Sequence, residues 1–287
     1  LPGAVAAHAS AGATLVAWLL TGLGMWFVVG TFRILAQVRP ELTNGVYAYA
    51  ERGFGRLVGF LVMLGYWCTS CCAMATYGVL LMATLSPLVP AFGAGNTVPA
   101  LLGASVVVWS VFALARRGVE QASVLNIVGT VAKFVPVAVF VAVCAAHFDP
   151  AVFSGGFFGS APAAPGGTAD GLAGQVADVM MVTLWVFIGI EGAVVVSGDA
   201  TSQKAVGRAV TLALAVALVF YVLVSTVPFG VFSQDDIAAM ASPSTAQILL
   251  ALAGDWGRVL VSVGIVVSIL SSWLVWMCMQ GQMPTSA

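Results

Sequence analysis

The sequence predicts an all-α polytopic membrane protein, and three observations carry that reading. Apolar residues fill 61% of the 287 positions and charged residues only 7%, against about 45–50% and about 25% in soluble domains. Mean hydropathy is +1.06, and 10 Lys/Arg with 11 Asp/Glu cannot cover the surface of a water-soluble body this size. The apolar residues are gathered into runs of roughly the 20 residues that a bilayer span needs, without the period-2 alternation of a β-barrel strand. A disulfide-stapled secreted scaffold, a nucleic-acid binder and a disordered chain are excluded by the same composition. The net charge of −1 comes with no basic run to attract a polyanion.

Seven segments qualify as spans: 12–35, 54–85, 98–114, 123–144, 176–196, 209–232 and 259–279. The second is long enough for a tilted helix plus an initial turn. Leu1 to Ala9 is too short to span and reads as the tail of a further helix. Between the first two spans, Pro40-Glu41-Leu42 and Asn44-Gly45 signal turns, followed by an amphipathic run at Tyr47-Ala48-Tyr49-Ala50. The segment 148–175 is rich in Gly, Ala and Pro and predicts an irregular loop. In 233–256, the stretches 235–240 and 245–252 suit short helices over the outer mouth. The chain opens on Leu1-Pro2-Gly3 and closes on Pro284-Thr285-Ser286-Ala287 soon after an apolar run, so both ends read as cut and a fragment is expected.

Charge orients the bundle. Arg33, Arg39, Arg52, Arg56, Arg116, Arg117, Lys204 and Arg208 fall in alternate loops, while Asp149, Asp170, Asp235, Asp236 and Asp255 fall in the others with Arg258. The positive-inside rule makes the Arg-rich loops cytoplasmic and the protein a multi-pass one of the plasma (inner) membrane.

Two polar residues lie where the membrane makes them expensive. Lys133 sits at the middle of 123–144, about 15 Å from either surface at 1.5 Å per residue, too deep for its stem to snorkel out. A central lysine costs about 2.5–3.5 kcal/mol on insertion scales, so it faces the bundle interior, either bonded to backbone as a structural group or serving coupling or gating. Glu191 follows Trp185-Val186-Phe187-Ile188-Gly189-Ile190 and precedes Gly192. Glycines in a span allow close approach or a helix break that exposes carbonyls to a ligand. An acid, an aromatic and two glycines therefore make a binding site, with a satisfied structural Glu as the alternative.

Other residues carry blander readings. Asp178 sits in the first turn of its span, where a helix N-terminus favours an acid. His8 and His147 lie at the outer ends of spans as interfacial side chains. Cys68, Cys71 and Cys72 share one helix face but lack nearby His, Asp or Glu, so helix packing is expected rather than a metal site. Neither metal nor cofactor is expected.

Several motifs together resemble a known family. Pro40-Glu41-Leu42, Gly45, Tyr47-Ala48-Tyr49-Ala50 and Gly53-Phe54-Gly55 look like the signature loop of the amino acid–polyamine–organocation superfamily. Gly65-Tyr66-Trp67, Gly95 to Ala100, Ala132 to Pro136 and, above all, Leu184 to Ala193 resemble the arginine/ornithine antiporters of its basic amino acid/polyamine group. The resemblance covers nearly the whole chain. It implies a LeuT-like inverted-repeat transporter fold, incomplete here and running from the end of helix 1 through helix 8, so the chain is not expected to transport alone.

Residue by residue, the resemblance makes Trp185 the tryptophan that stacks on the substrate side chain and Ile188 the backbone break beside it. Glu191 matches a gating acid, Tyr66 its tyrosine partner on the cytoplasmic side, and Trp276 a tryptophan lining the site. Lys133 matches a lysine that replaces a sodium ion of sodium-coupled cousins. Met74 departs from the family, which often has Asn there. The implied function is secondary exchange of basic amino acids by alternating access, arginine or lysine in and ornithine out. The implied partners are the amino-acid substrate, the lipid bilayer and, as a possible assembly, a second copy in a homodimer, with no nucleic acid. A proton-coupled importer on the same fold is the nearest alternative. A non-transporting receptor or scaffold has no use for Lys133 and Glu191 at bilayer depth. The spans offer an enzyme no Ser/His/Asp set, paired Asp or HExxH.

Overall fold

The computed structural model describes residues 1–39, 41–42, 45–116, 119–159, 171–189 and 203–282. Their helices are α1 (Pro2–Ala6), α2 (Ala11–Val38), α3 (Gly45–Phe54), α4 (Arg56–Leu85), α5 (Val98–Ala115), α6 (Val119–Ala146), α7 (Pro150–Gly155), α8 (Gly171–Trp185), α9 (Gln203–Thr226), α10 (Gln234–Ala239), α11 (Ser244–Ala253) and α12 (Asp255–Gln282). Short 3-10 turns occupy Pro90–Phe92 and Val227–Gly230. No strand occurs among the described residues. Four described stretches are each long and apolar enough to cross a membrane: Ala11–Leu35, Arg56–Leu85, Gly207–Gly230 and Asp255–Met277.

Local chemistry sets the boundaries. Gly55, at φ +92°, separates the amphipathic α3 from α4, where the sequence reading began a single span at Phe54. Thr97 caps α5 by accepting from the Ala100 N–H at 3.3 Å, with Pro99 in the first turn. Asp149 caps α7 through the Ala151 N–H at 2.7 Å. Gly95 reverses the chain ahead of α5 at φ +86°, and a Cβ there would run into the Val79 carbonyl, so only glycine fits. The α8 helix departs most from expectation. It starts at Gly171 rather than 176 and ends at Trp185, and the rest of the expected span from 190 on lies outside the described residues. Asp178 is therefore in the middle of a helix and not in its first turn.

The chain divides into two compact units. One holds Tyr66–His147 and Met240–Ser286, including most of α4 with α5, α6, α11 and α12. Its core is Leu81, Met82, Ala100, Val111, Ile269, Trp273 and Leu274. Trp273 is fully buried and donates its indole N–H to the Met74 carbonyl at 3.0 Å, tying α12 to α4. Cys68, Cys71 and Cys72 are exposed on α4, so the expected packing of their helix face does not occur among the described residues.

The other unit holds Pro2–Gly65 and Phe148–Ala239. In α2, Ala11, Ala13, Thr14, Ala17, Trp18 and Thr21 are buried along one face, while Leu19, Leu23, Trp26 and Phe27 are exposed on another. The spacing is helical, and the large outward apolar side chains are those a lipid-facing surface carries. Two buried polar contacts bind α2 to α8. Gln175 accepts from the Ser10 N–H at 2.9 Å and donates to the Gly159 carbonyl at 2.8 Å. The Thr21 and Thr183 hydroxyls meet at 2.7 Å. Inter-helix hydrogen bonds in membranes contribute about 0.6 kcal/mol on average, so these fix register more than they add stability.

Candidate functional site

In the first unit the candidate residues converge on α12. Gly129 of α6 lies against Ser271, and a Cβ at Gly129 would collide with that side chain. The two helices can approach closely there because glycine carries no side chain. One turn further along α6, Lys133 Nζ donates to Ser272 Oγ at 3.0 Å. Lys133 thus points at α12, and no carboxylate pairs with it among the described residues. Ser271 Oγ is buried without a hydrogen-bond partner among the described residues.

Four positions on from Ser272, Trp276 places its ring 6.2 Å from that of Tyr66, tilted by 38°. Tyr66 and Trp276 are thus neighbours within one unit. Met74 presents no polar atom in its side chain and lines an apolar groove of about 730 Å³ with Gly78, Leu101, Trp109 and Trp273.

In the second unit the candidate residues sit where α8 stops. Beyond Trp185 the backbone tightens: Phe187 N–H bonds the Leu184 carbonyl at 3.1 Å and Ile188 N–H bonds that of Trp185 at 3.2 Å. These are i to i+3 bonds of the 3-10 kind. Gly189 then turns the chain away at φ +106°, a conformation that favours glycine. The side chains divide sharply: Trp185 is 49% exposed and Ile188 41%, whereas Phe187 is 4% exposed. A 3-10 turn eclipses residues three apart, so Trp185 and Ile188 project on the same side and Phe187 turns inward. The helix thus ends ahead of Gly189, and Gly192, the second glycine of the motif, lies outside the described residues. Glu191, the acid of this motif, lies outside the described residues.

Sequence reasoning missed what holds this turn. Phe187 packs edge-on against both Trp18 of α2 and Tyr221 of α9, and the Tyr221 hydroxyl donates to the Val186 carbonyl at 3.4 Å. Tyr221 is the one tyrosine between residues 78 and 287, a signal that could have drawn attention to it.

Long apolar helices, a lysine turned into a helix interface and a helix ended beside two outward apolar side chains define a class: a multi-pass helical membrane protein. The family described as "Amino acid permease" matches residues 1–287, and the chain belongs to that family. A Clostridium perfringens protein provisionally named an amino-acid transporter is 45% identical over all of this chain and 60% of its own length. The arginine/agmatine antiporters of Chlamydia caviae and Chlamydia felis are 44% and 42% identical, again over the whole chain and 59% of theirs. The chain therefore spans about three fifths of the length of these relatives.

Proposed function

We propose that this chain is the substrate-handling part of a secondary active transporter, exchanging arginine (or lysine) for a second basic compound by alternating access. The observation that carries the reading is the end of α8. Trp185 and Ile188 stand exposed on one side of a tightened turn, in the motif Leu184 to Ala193. A desolvated indole face attracts a guanidinium or ammonium by about 2 kcal/mol or more, and a helix C-terminus presents carbonyls that lack intrahelical donors. Both features suit a cation with an apolar stem.

The roles follow from the motif matches. Trp185 stacks on the substrate side chain, Ile188 marks the backbone that meets it, and Trp276 lines the site. Glu191 is the gating acid and Tyr66 its partner. Lys133 is a fixed positive charge standing where sodium-coupled transporters hold their ion. The fold of the whole transporter is the inverted-repeat one, in the plasma membrane with the Arg-rich loops cytoplasmic.

The counter-substrate has two candidates. The motifs favour ornithine, whereas the chlamydial relatives are named for agmatine. Proteoliposomes containing the full-length protein, preloaded with ornithine, agmatine or an uncharged amino acid, distinguish them. Labelled arginine should enter only vesicles holding one of the two cations, whether or not a pH gradient is imposed. Uptake into vesicles with no internal amino acid, driven by a pH gradient alone, would replace exchange with proton coupling.

A further inference from the structure

Three rings from three segments of one unit meet behind the turn that follows α8. Phe187 stands edge-on to Trp18, with centroids 6.1 Å apart and planes at 84°, and edge-on to Tyr221 at 5.6 Å and 84°. Trp18 and Tyr221 stack at 5.9 Å and 12°. Each of those two rings is also pinned by a hydrogen bond. The Trp18 indole N–H donates to Ser225 Oγ at 2.8 Å, and the Tyr221 hydroxyl donates to the Val186 carbonyl at 3.4 Å.

The geometry at the turn is sensitive to this arrangement. In a 3-10 turn, residues three apart eclipse, whereas at 3.6 residues per turn they lie about 60° apart. Relaxing Val186–Ile188 into α geometry would therefore swing Ile188 out of line with Trp185. It would also drag Phe187 away from its edge-on contacts with Trp18 and Tyr221, an orientation that aromatic pairs favour. The Val186 carbonyl is the first beyond the helix end, and it accepts a hydrogen bond from the Tyr221 hydroxyl.

We propose that Tyr221, with Trp18 behind it, is a positioning residue: the aromatic brace on Phe187 keeps Trp185 and Ile188 aligned and so sets substrate affinity without touching substrate. This rests on the reading of Trp185 and Ile188 as substrate-binding residues. The brace predicts that losing one partly buried hydroxyl, which bonds the Val186 carbonyl, weakens binding.

The test uses the full-length protein in detergent with two variants, Tyr221→Phe and Tyr221→Leu. Labelled arginine binding and backbone amide exchange are measured on each. Tyr221→Phe keeps the ring stack and removes the hydroxyl that bonds Val186, so arginine affinity should fall by about fivefold, the scale of one neutral hydrogen bond. Amide exchange should quicken at residues 186–189 while α2, the body of α8 and α9 stay as in the parent. Tyr221→Leu also removes the ring that Trp18 and Phe187 pack against, and its affinity loss should exceed tenfold. Parental affinity in both variants would overturn the proposal. So would exchange that quickens evenly along α2, α8 and α9, because that marks a purely structural ring cluster. If the parent protein binds none of arginine, ornithine and agmatine, the substrate reading falls, and the pattern of exchange at 186–189 alone decides whether the brace holds the turn.

Discussion

Lys133 Nζ donates to Ser272 Oγ at 3.0 Å, one turn along α6 from the point where Gly129 lies against Ser271. The spacing makes the two contacts parts of one device. Close approach at Gly129 brings α12 within reach of the ammonium, and a hydroxyl rather than a carboxylate receives it. A hydroxyl leaves the positive charge unneutralised, which suits the proposed role of Lys133 as a fixed positive charge. Lys133→Ala in the full-length protein should abolish or uncouple arginine exchange while membrane expression stays at the parental level. Ser272→Ala should retain exchange at a reduced rate, since a hydrogen bond to a charged group contributes about 1.5–3 kcal/mol. Exchange measured in proteoliposomes checks both, and parental uptake by Lys133→Ala would remove the lysine from the mechanism.

Gly129 itself gives a stability test. A Cβ there collides with both side-chain atoms of Ser271 and not merely with a flexible tip. Gly129→Val should therefore lower stability by about 1–3 kcal/mol, the scale of overpacking a filled contact. Replacing Ser271 by glycine in the same protein should recover part of the loss. Thermal denaturation of the single and double variants in one detergent reads the coupling directly.

The helical, membrane-spanning character was legible because apolar runs of span length announce themselves without any knowledge of neighbours. The end of α8 near Gly189 was legible because a glycine there favours a turn, and the inward-facing Lys133 because a lysine at that depth needs a partner within the bundle. The helix limits were less legible. The α8 helix extends back to Gly171 through a stretch where Gly171, Gly174 and Gln175 break up the apolar run, which is why Asp178 was placed a turn and more too close to its start. The brace was not legible at all. Trp18 and Ser225 are 207 positions apart and Thr21 and Thr183 are 162 apart, and nothing local pairs them. In a span apolar all round, a ring facing lipid and a ring facing a neighbouring helix look alike. Trp26 is 55% exposed and Trp18 1% within one helix.

The gate assignment is tested at Glu191. Glutamine keeps the shape of the side chain and removes the charge, and charge-assisted hydrogen bonds are about twice as strong as neutral ones. Glu191→Gln should slow exchange by roughly tenfold, about 1.4 kcal/mol, with arginine binding nearly kept. Equilibrium binding and exchange measured on the same preparation separate the two effects. If binding disappears along with transport, Glu191 is a direct ligand and the gate lies elsewhere.

Trp185 tests the substrate class. Its ring is 49% exposed at the end of α8, so its face can lie over a substrate side chain held near the turn. For a cationic substrate, part of the affinity comes from the ring quadrupole and part from contact with the methylenes. Leucine preserves much of the apolar contact and has no quadrupole. Trp185→Leu should weaken arginine and ornithine binding by about tenfold, or about 1.4 kcal/mol, and leave the binding of norvaline, a neutral analogue, almost unchanged. Titrating each ligand against both proteins in detergent gives the comparison. Equal losses for the charged and neutral ligands would mean that the indole reads shape alone, and the preference for a cation would have to come from carbonyls at the turn.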